Sequence, residues 1–444
     1  MNRQPSTITL FLAVHKFQKA WPRKGAKMKE VVIVSACRTA IGAFGGTLKN
    51  SNAAVIGSVT MKEAIKRAGI DPGLIDDVRY GCCLEPADAL NVARVSALMA
   101  GIPDHVTAVT INRVCISGME AVLSGMAMIQ ADMADIILAG GTEHMSGAPY
   151  TVPGARWGCR LQDHVFVDSM IHALHCGSHL LPHPEEGPVK EGMPLELFKG
   201  KPYIMGQTAE IVAQLHNISR EEMDEVALRS HNNTERATLE GDFKDEIVAM
   251  EIPQKRGKPP IIFDKDEHFR PGITMEKLTK LPAAFVPKIG KVTAGNSSGI
   301  NDGSSAMIIM SADKAKELGL APMAKIKGIG RGGCHPSVMG LSPVPAVKDL
   351  FKRNPDLKLN DFELIEVNEA FAAQYLGCEI ELGLNREITN VNGSGIGLGH
   401  PVGATGCRIM TTLVYAMKNR GKNLGLATLC GGGGVSMACA LEMC

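Results

Sequence analysis

The sequence predicts an α/β protein built from two similar halves of alternating strands and helices. Three observations carry this. Short β-branched apolar runs alternate with segments of helical period, the pattern of a mostly parallel sheet covered on both faces. Glycine is abundant, at 48 of 444 residues, while aromatics make up 4%, a composition suited to tight βα turns and helices packed closely on sheets. The segment after about Ala321 repeats the design of the first, which suggests a duplicated unit.

In order, Val31 to Ser35 reads as a buried strand followed by a turn at Cys37-Arg-Thr-Ala-Ile-Gly42. Ala53 to Ala68 is helical, Leu74 to Cys83 carries a short strand, and Asn91 to Met99 is helical again. Val106 to Arg113 is apolar and β-branched, hence a buried strand, and Ser117 to Gln130 follows as a helix. Asp135 to Ala139 is another strand, ending in Gly140-Gly-Thr-Glu-His-Met-Ser146.

From Pro149 to about Gly290 prolines, charges and irregular stretches replace the alternation, as in a large excursion or lid. Within it, Arg220 to Arg236 reads as a polar, solvent-facing helix, with Ser219 and Glu222 spaced as a capping box. Strand character returns at Ala306 to Met310, followed by a helix from Ala312 to Leu318.

The second half opens with Ala324 to Gly328. Leu364 to Ala370 parallels Leu74 to Tyr80, and Ile388 to Val391 runs into a glycine-rich turn at Asn392 to Gly399. A helix from about Ala404 to Asn419 and a strand from Leu424 to Leu429 complete it. That strand ends in Gly431-Gly-Gly-Gly434, as the earlier one ends in Gly140-Gly141. The two copies place Cys115 and His400 at equivalent strand-to-helix turns, facing one pocket.

Cys115 is the first candidate for chemistry. A thiol at a helix N-terminus meets the positive end of the dipole and unpaired N–H groups, which favour the nucleophilic thiolate. Taken singly, Cys115 also reads as a small buried residue, His400 as a packing or capping histidine, and Asn368 as a strand-end residue serving the backbone.

Several stretches occur in order with sensible spacing: Cys115-Ile-Ser-Gly118, Ala139-Gly-Gly-Thr-Glu143 with Met145-Ser146, and Met205-Gly-Gln-Thr-Ala-Glu210. They continue with Thr293 to Gly303, Asn368-Glu-Ala-Phe371, Gly399-His-Pro-Val-Gly403 and Cys430 to Gly433. Together, from about Met28 to the C-terminus, they closely resemble the thiolase family, specifically its NEAF type. The resemblance implies two duplicated βα halves with mixed five-stranded sheets packed in layers, plus a loop domain. The N-terminal half would span 28–148 with 292–320, the loop domain 149–291 and the C-terminal half 321–444.

The resemblance also implies roles. Cys115 would be the nucleophile that forms the acyl-enzyme. His400, a base near neutral pH, would take its proton. Cys430 would remove the Cα proton of the incoming acetyl-CoA. His400 and a water held by Asn368 would serve the enolate oxygen. The N–H groups of Cys115 and Gly432 would serve the acyl-enzyme oxygen, where one donor is typically worth about 2.7–4 kcal/mol of barrier. For coenzyme A, Ser298 would touch the pantetheine, Arg270 the nucleotide end, and Phe285 and Phe371 the pantetheine channel. Met205 and Met339 would line the acyl pocket.

Two departures stand out. Ile204 occupies a place where many relatives have histidine, and Cys430 is followed by Gly-Gly-Gly-Gly-Val-Ser-Met, where relatives usually have Gly-Gly-Gly-Gln-Gly. The excursion also looks expanded between Ile171 and Tyr203, with His172, His175, Cys176, His179 and His183. Such a cluster has metal-ligand character, but an exposed, proline-punctuated insertion is the simpler expectation, so no metal is expected.

The implied function is acetyl-CoA C-acetyltransferase, interconverting two acetyl-CoA with acetoacetyl-CoA and CoA. The alternative is a broader-chain 3-ketoacyl-CoA thiolase of fatty-acid β-oxidation. A more distant one is a catalytically silent acyl-CoA-binding protein. A decarboxylating ketoacyl synthase is disfavoured, because it needs no second catalytic cysteine. Coenzyme A is a substrate and no cofactor is implied; family members are homodimers or homotetramers. A net charge of +1 gives no signal for nucleic acid or a membrane surface. Twelve cysteines without a repeating spacing fit a reducing cytosol. Residues 1–27 are basic and acid-free, and are expected to be a disordered extension upstream of a start at Met28. The alternative is a transit peptide, which would place the protein in an organelle.

Overall fold

A computed structural model describes residues 28–180 and 202–444. The expectations for residues 1–27, and for the part of the 171–203 expansion that holds His183, lie outside the described residues.

The first half supplies β1 (Val31–Thr39), β2 (Gly42–Ala43), β3 (Asp77–Gly81), β4 (Thr107–Ile111) and β5 (Ile136–His144). The excursion contributes only short strands: β6 (Tyr150–Thr151), β7 (Val167–Asp168), β8 (Ile247–Val248), β9 (Met250–Ile252) and β10 (Ile261–Phe263). Long strands resume with β11 (Asn301–Ser311), β12 (Ala324–Gly333), β13 (Leu364–Val367), β14 (Leu424–Gly431) and β15 (Val435–Met443).

Nine of these form one path in the order β13-β14-β15-β12-β1-β11-β5-β3-β4. The duplication is visible in its pairing. From β1 outward the steps are antiparallel to β11, antiparallel to β5, parallel to β3 and parallel to β4. From β12 outward they are antiparallel to β15, antiparallel to β14 and parallel to β13. The fifth position of the second half is reduced to one parallel bridge, Ile365 to Thr389. The two sheets meet edge to edge through two residue pairs, Val32 with Lys325 and Ile33 with Ala324.

The helices Ser117–Gln130 and Val402–Arg420 pack against each other and lie between the two sheets. One core cluster therefore spans both halves, from Ile137 and Ile309 through Met119, Val122 and Met410 to Leu429 and Met437. A second cluster covers the outer face of the first sheet, and a third that of the second sheet. Helices need small residues where they cross closely. A Cβ on Gly118 would lie 2.8 Å from the backbone nitrogen of Cys407, and one on Gly406 2.2 Å from that of Met119.

Several expectations change. β1 runs on to Thr39 through the expected turn, because Cys37 and Arg38 pair with β11. β4 is an edge strand, so Thr107 is exposed and its other residues are half-buried, not buried as their apolarity predicts. The helix Arg220–Glu240 has its expected capping box but is not solvent-facing all round; Met223, Val226, Ser230 and Thr234 are buried. Ser230 accepts the N–H of Gly397 at 2.9 Å, and Arg236 donates to the Val391 carbonyl at 2.8 Å. Polar composition here serves contacts with a neighbouring backbone, not water. β15 and the helices Pro343–Arg353 and Ala372–Leu382 have no counterpart in the sequence reading.

The excursion is tied to the body by buried charge. Arg38 of β1 donates to both carboxylate oxygens of Asp266, at 2.7 and 2.9 Å, and to Glu246 at 2.5 Å. Asp266 also accepts the N–H of Ile41 at 2.8 Å. Removing one member of such a buried set leaves an uncompensated charge, which costs about 3–5 kcal/mol. Among the described residues no helix is long and apolar enough to cross a membrane.

Candidate active site

Cys115 sits one residue before Ile116, the N-cap of the helix Ser117–Gln130, which makes no side-chain cap. Val114 is held at φ +50°, a conformation that costs a β-branched residue about 1–3 kcal/mol. Neighbours hold the turn in place. Asn112 accepts the N–H of Val114 at 3.0 Å, Ser117 accepts that of Arg113 at 2.8 Å, and the Cys83 thiol donates to the Val114 carbonyl at 3.1 Å.

The N–H groups of Gly432 and of Cys115 itself reach the Cys115 sulfur and favour its anion. Burial outweighs them and pushes the thiol up to about 11. The expectation of a thiolate poised by the helix terminus is corrected: at rest Cys115 is a thiol.

His400 occupies the equivalent turn, one residue before Pro401, the N-cap of Val402–Arg420. Gly399 adopts φ +105°, and a Cβ there would lie 2.7 Å from the Asn301 side chain. Asn301 accepts the His400 N–H at 2.9 Å and donates to the Gly42 carbonyl at 3.0 Å. Thr405 Oγ1 lies 2.7 Å from His400 Nδ1 and donates its own proton to the Pro401 carbonyl at 2.9 Å. With that proton committed, Oγ1 accepts from Nδ1–H, which leaves Nε2 with its lone pair. Burial, followed by the nearby Arg408 guanidinium, pushes the imidazole down to about 3. His400 is therefore a neutral imidazole of fixed tautomer, not the near-neutral titrating base expected from sequence.

Cys430 is the penultimate residue of β14 and is 1% exposed. Burial and the neighbouring Cys115 raise its pKa. The turn to β15 is made by Gly432, Gly433 and Gly434, the last two at φ +79° and +83°. Asn368 follows β13 and is fully buried; its Nδ2 lies 3.5 Å from both imidazole nitrogens of His400. Its Oδ1 has no hydrogen-bond partner among the described residues.

A cavity of about 530 Å³ gathers these groups: Cys115, His400, Cys430 and Gly432 all line it. Asn368 is not among the lining residues but touches the His400 ring. Phe285 and Phe371 line the cavity edge to face, with centroids 6.1 Å apart. A Cβ on Gly206 would lie 2.3 Å from the Phe285 ring, so the glycine lets the ring lie flat on its helix. Ser298 and Arg270 also line the cavity. The Ser298 N–H donates to the Ala370 carbonyl at 2.9 Å, and Arg270 carries an exposed guanidinium. Met205 and Met339 are buried in the wall, and Ile204 lies beside them. All the predicted site residues except Asn368 thus reach one cavity.

The rings of His172, His175 and His179 stand 5.1–6.3 Å apart. Among the described residues, no group of three or more histidine, cysteine or acidic side chains is arranged to hold a metal ion.

Sequence reasoning did not single out Asn301, Thr405 or Glu143. Glu143, fully buried, accepts the N–H groups of Cys83 at 2.9 Å, Leu84 at 3.0 Å and Gly403 at 2.8 Å. It links the loop beneath Cys115 to the helix that follows His400. Thr405, in the first turn of the helix that follows His400, is five residues on and outside the i,i+3 or i,i+4 spacing that would have signalled it; Glu143 could have been suspected as an acid ending an apolar strand.

Two duplicated α/β halves that bring two thiols and an imidazole to one apolar cavity define a thiolase-like protein. The chain matches the thiolase N-terminal domain over residues 31–181 and 191–313, and the thiolase C-terminal domain over 320–443. It is 46% identical over 418 residues to an acetyl-CoA acetyltransferase of Syntrophomonas wolfei, covering 93% of this chain and 99% of that one. Its structure is similar to the crystal structure of the Bacillus anthracis acetyl-CoA acetyltransferase, with TM-score 0.86 and 44% identity over 94% of this chain and 99% of the other. It is also similar to human mitochondrial 3-ketoacyl-CoA thiolase in complex with CoA, with TM-score 0.84 and 39% identity over 94% and 98% of the two chains. The chain belongs to the thiolase family.

Proposed function

We propose that the protein is an acetyl-CoA C-acetyltransferase, interconverting two acetyl-CoA with acetoacetyl-CoA and CoA through an acyl-cysteine. The observation that carries this is the convergence of Cys115, His400 and Cys430 on one cavity, with the Gly432 N–H aimed at the Cys115 sulfur. High similarity to proteins named acetyl-CoA acetyltransferase supports the choice of substrate.

In this reading Cys115 attacks the thioester carbonyl as its proton passes to His400 Nε2. The buried neutral pair is converted to an ion pair only when substrate enters, so charge forms where the reaction needs it. The acyl-enzyme oxygen takes the N–H groups of Gly432 and Cys115. Coenzyme A leaves with the proton of the Cys430 thiol, which is left as a thiolate, and a second acetyl-CoA enters. Cys430 then abstracts its Cα proton, and the enolate oxygen is held by protonated His400 and a water on Asn368. The carbanion attacks the acyl-cysteine and releases acetoacetyl-CoA. Ser298, Phe285 and Phe371 hold the pantetheine and Arg270 the nucleotide end, while Met205 and Met339 bound the acyl group. Residues 149–291 act as a lid domain fixed by Arg38.

A broader-chain 3-ketoacyl-CoA thiolase is the second reading, favoured by the similarity to the human enzyme of that name. Thiolysis with saturating CoA separates the two. Cleavage of acetoacetyl-CoA with little of 3-ketodecanoyl-CoA is the expected result; comparable cleavage of the longer chain would move the assignment to β-oxidation.

We further propose a homodimer or homotetramer, supported by the half-exposed edge strand β4 with exposed Leu90, Leu98 and Met99 close by in sequence. Light scattering showing a monomer at micromolar concentration would refute it. All twelve cysteines are free, which supports a reducing compartment such as the cytosol.

A further inference from the structure

Another cavity shares no lining residue with the one around Cys115. Its volume is about 390 Å³, and it is lined by Arg229, Asn233, Arg236, Glu387, Val391 and Arg420. It lies where the helix Arg220–Glu240 of the excursion meets the segment 386–392 and the end of the helix Val402–Arg420. Arg229, Asn233 and Arg236 follow one another at i, i+4 and i+7, so they share one helix face. Their spacing covers about 10 Å of helix axis.

This face is held by neutral oxygens. Arg229 donates through Nη2 to the carbonyls of Arg386 and Thr389, the latter at 2.7 Å. Asn233 donates to the Asn390 carbonyl at 3.1 Å. Arg236 and Arg420 both reach Oδ1 of Asn392, at 2.9 and 3.0 Å, so two guanidinium groups meet on one uncharged oxygen. Asp242 offsets part of their charge, at 3.4 Å from Arg236 and 3.7 Å from Arg420, and Glu240 pairs with Arg236. Arg229 forms no ion pair among the described residues. Nε and Nη1 of both Arg229 and Arg420 carry no hydrogen bond among them either. Glu387, the one acid lining the cavity, is exposed and forms no ion pair among the described residues.

Like charges gathered in a concavity with spare N–H donors favour an anion, and guanidinium groups suit phosphate oxygens in particular. The cationic groups fall in two places along the helix, Arg229 at one and the adjacent Arg236 and Arg420 at the other. We propose that this cavity binds a small molecule with two linked phosphate groups, one held by Arg229 and the other by Arg236 and Arg420.

The test is isothermal titration calorimetry of the full-length protein with pyrophosphate, and with inorganic phosphate as the single-phosphate comparison. Pyrophosphate is expected to bind once per chain with a Kd below about 1 mM, at least about tenfold more tightly than phosphate, and more weakly as sodium chloride is raised. Arg229→Gln and Arg420→Gln should each weaken it about tenfold. Arg420 is exposed at a helix end, so its variant tests the site without disturbing the contacts of Arg229. Saturating CoA should leave the binding unchanged, as should Arg270→Gln in the Cys115 cavity. Loss of binding in either case would assign the anion to that cavity and overturn the proposal. No binding of pyrophosphate, equal binding of phosphate, or undiminished binding in either Arg229→Gln or Arg420→Gln would overturn it too. None of these readouts uses catalysis, so they stand apart from the acyl-transfer reading.

Discussion

The turns that carry Cys115 and His400 are equivalent positions in the two halves, yet they are built by opposite means. The first holds a valine in a left-handed conformation and leaves the following sulfur facing two backbone N–H groups. The second uses a glycine for the same purpose and buries the imidazole against side chains, Asn301 at its backbone and Thr405 at its ring. Donors from the main chain cannot be protonated or lost; they suit an oxygen whose charge appears and disappears during reaction. Side-chain partners can choose a tautomer, which backbone donors around a sulfur need not do. Duplication thus gives two identical frames, and the residues at the turn decide which becomes an oxyanion site and which a base.

The largest test of that contrast is His400→Ala, which removes the base and leaves the sulfur's donors in place. A loss of about 10²–10⁴ in kcat is expected, with the fold retained by circular dichroism. A loss below tenfold would assign the proton transfer elsewhere. Gly399→Ala comes next. Its Cβ collides with Asn301 in a conformation that disfavours any side chain. A destabilisation of about 1–3 kcal/mol, read as a lowered Tm or denaturation midpoint, should accompany reduced kcat. Thr405→Val sharpens the comparison further, because it removes the tautomer's partner, together with that hydroxyl's bond to the Pro401 carbonyl. Loss of one such hydrogen bond, worth about 1 kcal/mol, should lower kcat roughly fivefold with little change in KM. An unchanged kcat would mean that the tautomer is fixed by other groups.

The smallest effect concerns pH. Burial pushes His231 and His268 down to about 4 and His400 to about 3. Unfolded histidines, near 6.5, take protons first as pH falls, so stability from these groups is complete above about 6.5 and is lost toward pH 4. Glu366, pushed up to about 8, acts in the opposite sense, losing its contribution as pH rises from about 4.5. Comparing wild type with His231→Gln at pH 7.5 and pH 5 by urea denaturation isolates the histidine part. The variant should show a shallower fall; an equal fall would exclude His231 as a source.

Much of this architecture was legible in the chain. The helices Ala53–Ala68 and Ser117–Gln130 have the limits that their periodicity predicts. The repeat places Cys115 and His400 correctly because glycine-rich strand ends and helix starts are local signals. What failed was non-local. β4 is apolar but lies at an edge, and Arg220–Glu240 is polar but half-buried against backbone carbonyls. Neither fact is written in periodicity. The protonation states failed for the same reason: helix position argues for thiolate at Cys115, but the depth of burial that defeats it depends on residues far along the chain. Asn301 and Glu143 were missed because they act through the backbone of distant turns.

The most direct test of the paired-turn reading is rapid quenching of wild type and His400→Ala with acetyl-CoA, followed by mass spectrometry of the peptide that contains Cys115. Acetyl should appear on Cys115 in wild type and form far more slowly in the variant. An unmodified Cys115 peptide in wild type, or equal acetylation in both proteins, would contradict the assignment of nucleophile and base to the two turns.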